Sequence, residues 1–243
     1  MIQQDKPSIV FLQETKCSSI ALEKLLNKSW TGSCSVSVET SGASGGLAII
    51  WNPQVLALYD FHASHHFIQT TFHLVGTNTH GHLTNVYFPQ DPQTKMDLLN
   101  TLSELNTVRR FPLWICGGDF NLITALEEKS GGRTRLEEVS TGFKYFISSN
   151  QLMDLQTSNG IHTWTNKIKG TQHIASRLDR FLMSNNAIHL GGDFQSCILP
   201  HAGYDHWPIL LQWSHPGSTS NRPFHFESFW FTHQNFKEVV TNA

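Results

Sequence analysis

The stretch FPLWICGGDFN, residues 111–121, constrains the fold more than any other part of the chain. Six residues without polar alternation read as a buried strand. The run ends in two glycines, and Asp119 and Asn121 follow two positions apart. Extended backbone sends residues i and i+2 to the same side, so both polar groups should project together while Phe120 faces away. A strand end that aims a carboxylate and a carboxamide at one point is the first sign of chemistry.

Other short apolar runs surround this one. SIVFLQ (8–13), GGLAIIW (45–51), FIQTTFHLV (67–75) and HLTNVYF (82–88) read as strands. So do HTWTN (162–166), RLDRFLMS (177–184) and HWPILLQW (206–213). Residues 18–29 carry Ile20, Leu22, Leu25 and Leu26 at helical spacing, with Ser18 or Ser19 as N-cap. Residues 92–105 open at a proline and repeat apolar positions as a helix does, and 137–150 reads as a third helix. Strands interrupted by a few helices predict a mixed α/β layered domain over residues 1–214. GSTSN (217–221) has linker composition, so residues 215–243 read as a linker and an aromatic, amphipathic tail.

Composition narrows the partners. The chain is 39% apolar with seven Trp, enough for a sizeable core. A net charge of −2 does not announce a nucleic-acid binder, so such binding needs a local basic patch. Arg133, Arg135, Lys167 and Lys169 supply modest loop basicity, or are ordinary solvated charges. Cys17, Cys34, Cys116 and Cys197 form no Cys-x-x-Cys pair and read as reduced thiols of an intracellular protein. No apolar run reaches the roughly 18 residues of a membrane span. Fourteen histidines are many, yet none forms His-Glu-x-x-His, and those between His62 and His82 read as exposed or hydrogen-bonded.

Several polar residues share the situation of Asp119. Glu14 closes IVFLQE, Asp179 sits in SRLDRFL, and Asp205-His206 precede WPILL. Strand ends at one edge of a layered sheet converge on a cleft. Carboxylates, an amide and a histidine gathered there suit a hard divalent cation and phosphate chemistry. Asp179 has a plainer alternative, a strand-edge pairing with Arg177 or Arg180. Tyr87 and Trp164 alternatively belong to the core.

The ordered series IVFLQETK, GGLAIIW, NVYFPQ, GGDFN, HTWTN, SRLDRFLMS and DHWPI resembles the endonuclease/exonuclease/phosphatase superfamily. More narrowly it is similar to the apurinic-like endonuclease domain of plant non-LTR (LINE-type) retrotransposons. The resemblance implies a four-layered α/β-β/α sandwich of two mixed β-sheets. It implies Mg²⁺ (or Mn²⁺) held by Glu14, with Asp205 nearby, and a water oriented or deprotonated by Asp119 and held by Asn121. His206, positioned by Asp179, would donate to the scissile phosphate, Tyr87 would contact it, and Trp164 and Arg177 would lie near the substrate. DNA is then the expected partner, nicking the expected reaction and the nucleus the expected site of action. The tail resembles the segment leading toward a reverse transcriptase.

Two departures qualify the resemblance. The family pattern opens with an apolar strand ending in an Asn-containing turn, whereas Met1 falls within the helix that should follow it. The resemblance therefore implies an N-terminally truncated domain lacking its first strand, with weakened or lost activity. Tyr204 also stands where the family usually has a small residue before the Asp-His pair. A phosphatase acting on inositol phosphates or nucleotides, and a non-catalytic remnant of the fold, are the alternatives.

Overall fold

Ile49 and Ile50 are both wholly buried, although neighbouring residues of a strand face opposite ways. Their strand must therefore be covered on two sides, and the computed structural model shows by what. It describes residues 6–39, 45–108, 110–132, 135–191, 193–200 and 203–214. In chain order these form β1 (Ile9–Gln13), α1 (Ser19–Ser29), β2 (Cys34–Val38), β3 (Leu47–Trp51), β4 (Leu56–Ala63), β5 (Phe67–Leu74) and β6 (His80–Tyr87). Next come α2 (Pro92–Thr107), β7 (Trp114–Asp119), β8 (Lys129–Ser130), α3 (Glu138–Ser149) and β9 (Leu152–Leu155). β10 (Trp164–Thr165), β11 (Ala175–Ser176), β12 (Asp179–Ser184), β13 (Asp193–Ile198) and β14 (Ile209–Ser214) follow.

Helix starts obey local chemistry. The Ser18 hydroxyl accepts from the Ala21 amide at 3.3 Å ahead of α1. The Asp91 carboxylate accepts from the Thr94 amide at 2.8 Å ahead of α2, whose first residue is Pro92. The main sheet runs β4-β5-β6-β7-β12-β9, parallel at β6–β7 and antiparallel elsewhere. A second layer holds the antiparallel sheet β1-β3-β2 and the hairpin β13-β14, and β10-β11-β8 forms a small third sheet.

Three apolar clusters define four layers. Leu22 and Leu26 of α1 pack on Ala48 and Ile50, the outer face of β3. Leu47 and Ile49, on its inner face, meet Ile68, Leu83, Ile115 and Met183 of the main sheet. The other face of that sheet, with Trp114, Cys116 and Leu182, lies under Leu98, Leu102, Phe143 and Phe146 of α2 and α3. This is the mixed α/β sandwich that the sequence predicts.

The two glycines before Asp119 have separate reasons. A Cβ on Gly117 would stand 2.5 Å from the Phe181 ring, so only glycine lets that ring lie between the sheets. Gly118 has φ +139°, and a Cβ there would meet the Val86 carbonyl at 2.1 Å.

Some boundaries differ from the sequence reading. RLDRFLMS is not one strand: Ala175–Ser176 pairs in the small sheet, and β12 begins only at Asp179. HTWTN contracts to Trp164–Thr165. β2, β4 and β13 carry weak periodicity because each lies at the end of its sheet, and in β4 the register slips between Tyr59 and His62. Among the described residues β1 pairs only with β3 and β14 only with β13, leaving each with one edge unpartnered by a strand. The predicted tail and linker lie outside the described residues. None of the four cysteines is joined in a disulfide.

A buried amide fastens the two main layers. Asn85 of β6 donates through Nδ2 to the carbonyls of Leu12 at 3.0 Å and Ala48 at 2.9 Å. Its Oδ1 accepts from Gln13 Nε2 at 2.5 Å. Asn85→Leu keeps the volume and removes all three bonds while leaving Gln13 facing an apolar group. We expect a loss of about 2–4 kcal/mol, read as a lower urea midpoint with an unchanged m-value.

Candidate active site

Three strands carry their polar residues to one row. Tyr87 at the end of β6 stands beside Asp119 of β7, and Asp119 is directly opposite Asp179 of β12. The row sits at one rim of the main sheet and faces the second layer, as Ile115 and Met183 do further along the same strands. From the second layer, Glu14 follows the end of β1 and His206 precedes β14.

Glu14 has φ +49°, a turn that re-aims its side chain as β1 ends. The Tyr87 hydroxyl donates to Glu14 Oε1, and Lys16 Nζ lies 2.8 Å from Oε2. Those two bonds, from Lys16 and then Tyr87, hold the Glu14 carboxyl below its ordinary range. Burial, with the Glu14 contact, pushes the Tyr87 phenol up, so it remains a donor.

Asp119 is almost wholly buried, and its carboxyl is pushed up to about 7, first by burial and then by the charge of Asp179. The expected side-by-side projection of Asp119 and Asn121 is achieved differently from an extended strand. Asn121 has φ +49°, and its backbone amide turns back to Asp119 Oδ1 at 2.8 Å. Its Nδ2 donates to Asp119 Oδ2 at 3.1 Å and to the Phe88 carbonyl at 2.8 Å, while Gln90 donates to its Oδ1 at 2.9 Å. Both amide protons of Asn121 are thus committed to protein oxygens, and its contact is with Asp119 itself.

His206 Nδ1 bonds Asp179 Oδ2 at 2.9 Å, which turns Nε2 toward Asp119 Oδ2 at 4.0 Å. Burial works against the charged ring, but the bond to Asp179 and the charges of Asp179, Asp119 and Asp205 outweigh it, raising the imidazole to about 9. Thr163 Oγ1 accepts from the amides of Leu178 and Asp179 at 3.0 and 2.9 Å and so fixes the start of β12. Asp205 accepts from Trp164 Nε1 at 3.2 Å. Partial burial raises the Asp205 carboxyl, but its own backbone amide and Trp164 hold it below the ordinary value.

Arg177 lies elsewhere. It is wholly buried and bonds Glu128 at 2.8 Å and Asp154 at 2.6 Å, as Arg180 does at 2.9 and 2.7 Å. The sequence reading of Arg177 as a substrate contact is corrected: its guanidinium faces two carboxylates of its own fold because the chain crosses between sheets there. Asp179, in turn, pairs with His206 rather than with either arginine.

Several supports escaped sequence reasoning. Buried Lys95 reaches the Asn121 carbonyl at 2.8 Å from α2, where a lysine at helical spacing reads as a solvated charge. Thr163 and Asn85 give no sequence signal, since each acts on backbone distant in the chain.

Asp119, Asp179 and His206 present ligand atoms within 4.8 Å of one another, a cluster able to hold a metal ion. Glu14 adds a carboxylate tied to the same row through Tyr87. This oxygen-rich donor set fits a hard divalent cation, and the raised Asp119 carboxyl is what an added positive charge would relieve.

A family model described as the Endonuclease/Exonuclease/phosphatase family matches residues 1–196. The chain belongs to the endonuclease/exonuclease/phosphatase family. The endonuclease domain of TRAS1, a telomere-specific non-LTR retrotransposon, superposes with TM-score 0.64 at 14% identity, over 87% of this chain and 88% of that one. D. rerio TDP2 complexed with single strand DNA product gives 0.58 at 12%, over 86% of each chain. The human Nocturnin catalytic domain with bound sulfate anion gives 0.55 at 17%, over 87% and 83%. These likenesses establish the shared fold of the endonuclease/exonuclease/phosphatase family. No curated protein matches the chain by sequence. Members of this family are typically metal-dependent phosphodiesterases or hydrolases.

The site gives stability a pH dependence. With its carboxyl titrating near 7 in the fold but near 3.8 when unfolded, Asp119 favours the folded state less as pH rises between those values. The raised His206 contributes fully below 6.5 and loses its contribution as pH rises through about 9. In EDTA the melting midpoint should therefore fall from pH 6.5 to pH 9, and His206→Asn should flatten that slope in a fluorimetric melting series.

The arginine cluster supplies an independent test. Glu128 is held down to about 2: burial opposes its charge, but Arg180, the Thr124 amide and Arg177 outweigh it. Glu128→Gln leaves buried guanidinium charge uncompensated and should cost about 3–5 kcal/mol, measured by urea unfolding at neutral pH.

Proposed function

We propose that the chain hydrolyses phosphodiester bonds of DNA by attack of water, with a divalent cation, Mg²⁺ or Mn²⁺, as cofactor. The observation that carries this reading is the pair Asp119 and His206. A carboxylate raised to about 7 can take a proton near neutral pH, and an imidazole raised to about 9 can give one. They face each other at 4.0 Å, too far for a direct hydrogen bond and near enough for both to reach one phosphate.

Asp119 accepts the proton of the attacking water, and Asn121 fixes the carboxylate by two bonds. His206 Nε2 donates to a phosphate oxygen while Asp179 holds the ring by Nδ1. Tyr87 donates within the row and fixes Glu14. Glu14, with Asp205 nearby, would hold the cation, which when bound polarises the phosphate and stabilises the leaving oxyanion. For Glu14 to do so, its Oε2 must exchange the Lys16 ammonium for the cation.

DNA as substrate draws support from the neighbours named for an endonuclease domain and for a single strand DNA product. A retroelement origin, a reverse transcriptase elsewhere in a parent protein and action in the nucleus extend the same reading, carried by the ordered motifs and the TRAS1 likeness.

Nicking of supercoiled plasmid in Mg²⁺ tests it. The chain should convert supercoiled to open-circular DNA. Asp119→Asn and His206→Ala should each lower the rate about 10²- to 10⁴-fold, and EDTA should stop it. Release of inorganic phosphate from nucleotides or inositol phosphates, with plasmid untouched, would assign the same site to a phosphatase.

A further inference from the structure

Lys95 shares the buried face of α2 with Leu98, Leu99 and Leu102, and only 2% of its surface is exposed. An apolar residue would continue that face, and taking an amine out of water is costly unless a partner compensates it. Its carboxylate contact is a distant one: Glu137, ahead of α3, stands at 3.9 Å and is itself mostly exposed. Burial pulls the Lys95 ammonium below the ordinary lysine range, against the charges of Glu137, Asp119 and Asp91. The short bond goes elsewhere. Nζ donates to the Asn121 carbonyl at 2.8 Å, 26 positions away in the chain.

That carbonyl belongs to backbone that needs holding. Asn121 has φ +49°, a region that a residue with a side chain keeps only where its surroundings fix it. The turn is what lets the Asn121 amide and Nδ2 both reach the Asp119 carboxylate, at 2.8 and 3.1 Å. The next carbonyl, that of Leu122, accepts from the buried Arg180 guanidinium at 2.8 Å. Two buried basic groups, one from the helical layer and one from β12, thus grip consecutive carbonyls just past Asp119. Gln90 and the Phe88 carbonyl hold the side chain of Asn121, and Lys95 holds its backbone.

We infer that Lys95 is a positioning residue of the site: from the helical layer it holds Asn121 in the left-handed turn that fixes the Asp119 carboxylate. Without Nζ the Asn121 carbonyl loses its partner, the turn relaxes, and both donors to Asp119 shift with it. A small misplacement of the group that takes a proton from water lowers the rate of the chemical step and leaves substrate affinity alone. This use in catalysis rests on the phosphodiesterase reading above, whereas the hold on Asn121 stands without it.

Two variants of the full chain test this, so that the answer does not hang on one packing change. Lys95→Met keeps the length and removes the donor, and Lys95→Gln keeps a donor on a side chain one bond shorter. Leu102→Ala, two turns further along the same helix, is the control for a general loss of stability. The first readout is amide hydrogen exchange by NMR, which needs no activity. In both Lys95 variants the Asn121 amide should exchange about tenfold faster or more while amides of the β7–β12 ladder keep their rates, and Leu102→Ala should speed the ladder and Asn121 together. The second readout is plasmid nicking in Mg²⁺. Both Lys95 variants should lose about tenfold in kcat at unchanged KM, and Leu102→Ala, assayed below its melting midpoint, should keep kcat. Unchanged exchange at Asn121, or a gain spread evenly over the ladder, would overturn the inference. An unchanged kcat beside a loosened Asn121 would overturn its catalytic use. Absence of nicking by the unaltered chain would count against the phosphodiesterase reading and leave the exchange comparison to decide on Lys95.

Discussion

Asp119 and Asp179 face each other across neighbouring strands, and nearly everything at the functional end of this protein answers to that repulsion. Like charges directly opposite in an antiparallel pair destabilise it. Here both are also screened from water, which strengthens the repulsion. The fold offsets it with positive charge and with donors. His206 binds Asp179 and faces Asp119, two Asn121 donors bind Asp119, and the Thr163 hydroxyl pins the backbone of Asp179. The compromise leaves one carboxyl poised near neutrality and one imidazole holding its proton. Those are the two protonation states that the proposed hydrolysis by water would use.

The second concentration of charge behaves in the opposite way. Arg177 and Arg180 meet Glu128 and Asp154 with two cations for two anions, every short contact bidentate or shared. Glu128 is driven down there instead. A balanced cluster holds its neighbouring loops in place, whereas the row at the rim leaves two opposed carboxylates to a single imidazole. The contrast separates paired charge from the charge that the proposed hydrolysis would use.

How much of this was legible follows the range of each interaction. The buried run before Gly117, the strand-end carboxylates and the Asp205-His206 pair are local patterns, and they led to the layers and to most of the row. Arg177 misled because its strand divides between two sheets, which no periodicity records. Asn85, Thr163 and Lys95 were invisible because their partners lie far away: Asn85 bonds backbone 73 positions off, at Leu12. Asn121 was placed correctly beside Asp119 for a reason that does not hold, since the left-handed turn and not strand alternation brings them together.

The site is assembled from two layers that share no backbone hydrogen bonds with each other in their ladders. Glu14 arrives from the β1 sheet and His206 from the β13-β14 hairpin, whereas Tyr87, Asp119 and Asp179 belong to the main sheet. What registers the three parts is packing: Phe11, Phe181 and Leu211 lie against the inter-sheet core, with Phe181 seated over Gly117. Asn85 adds the directional lock for β1, and the segment ahead of β14 is held by the His206–Asp179 bond and by Thr163, Trp164 and Thr165 meeting residues 205–207. The distance between Asp119 and His206 is therefore set by how the hairpin rests on the sheet. A change at Gly117 or Phe181 would reach the chemistry through that seat, without touching a charged group.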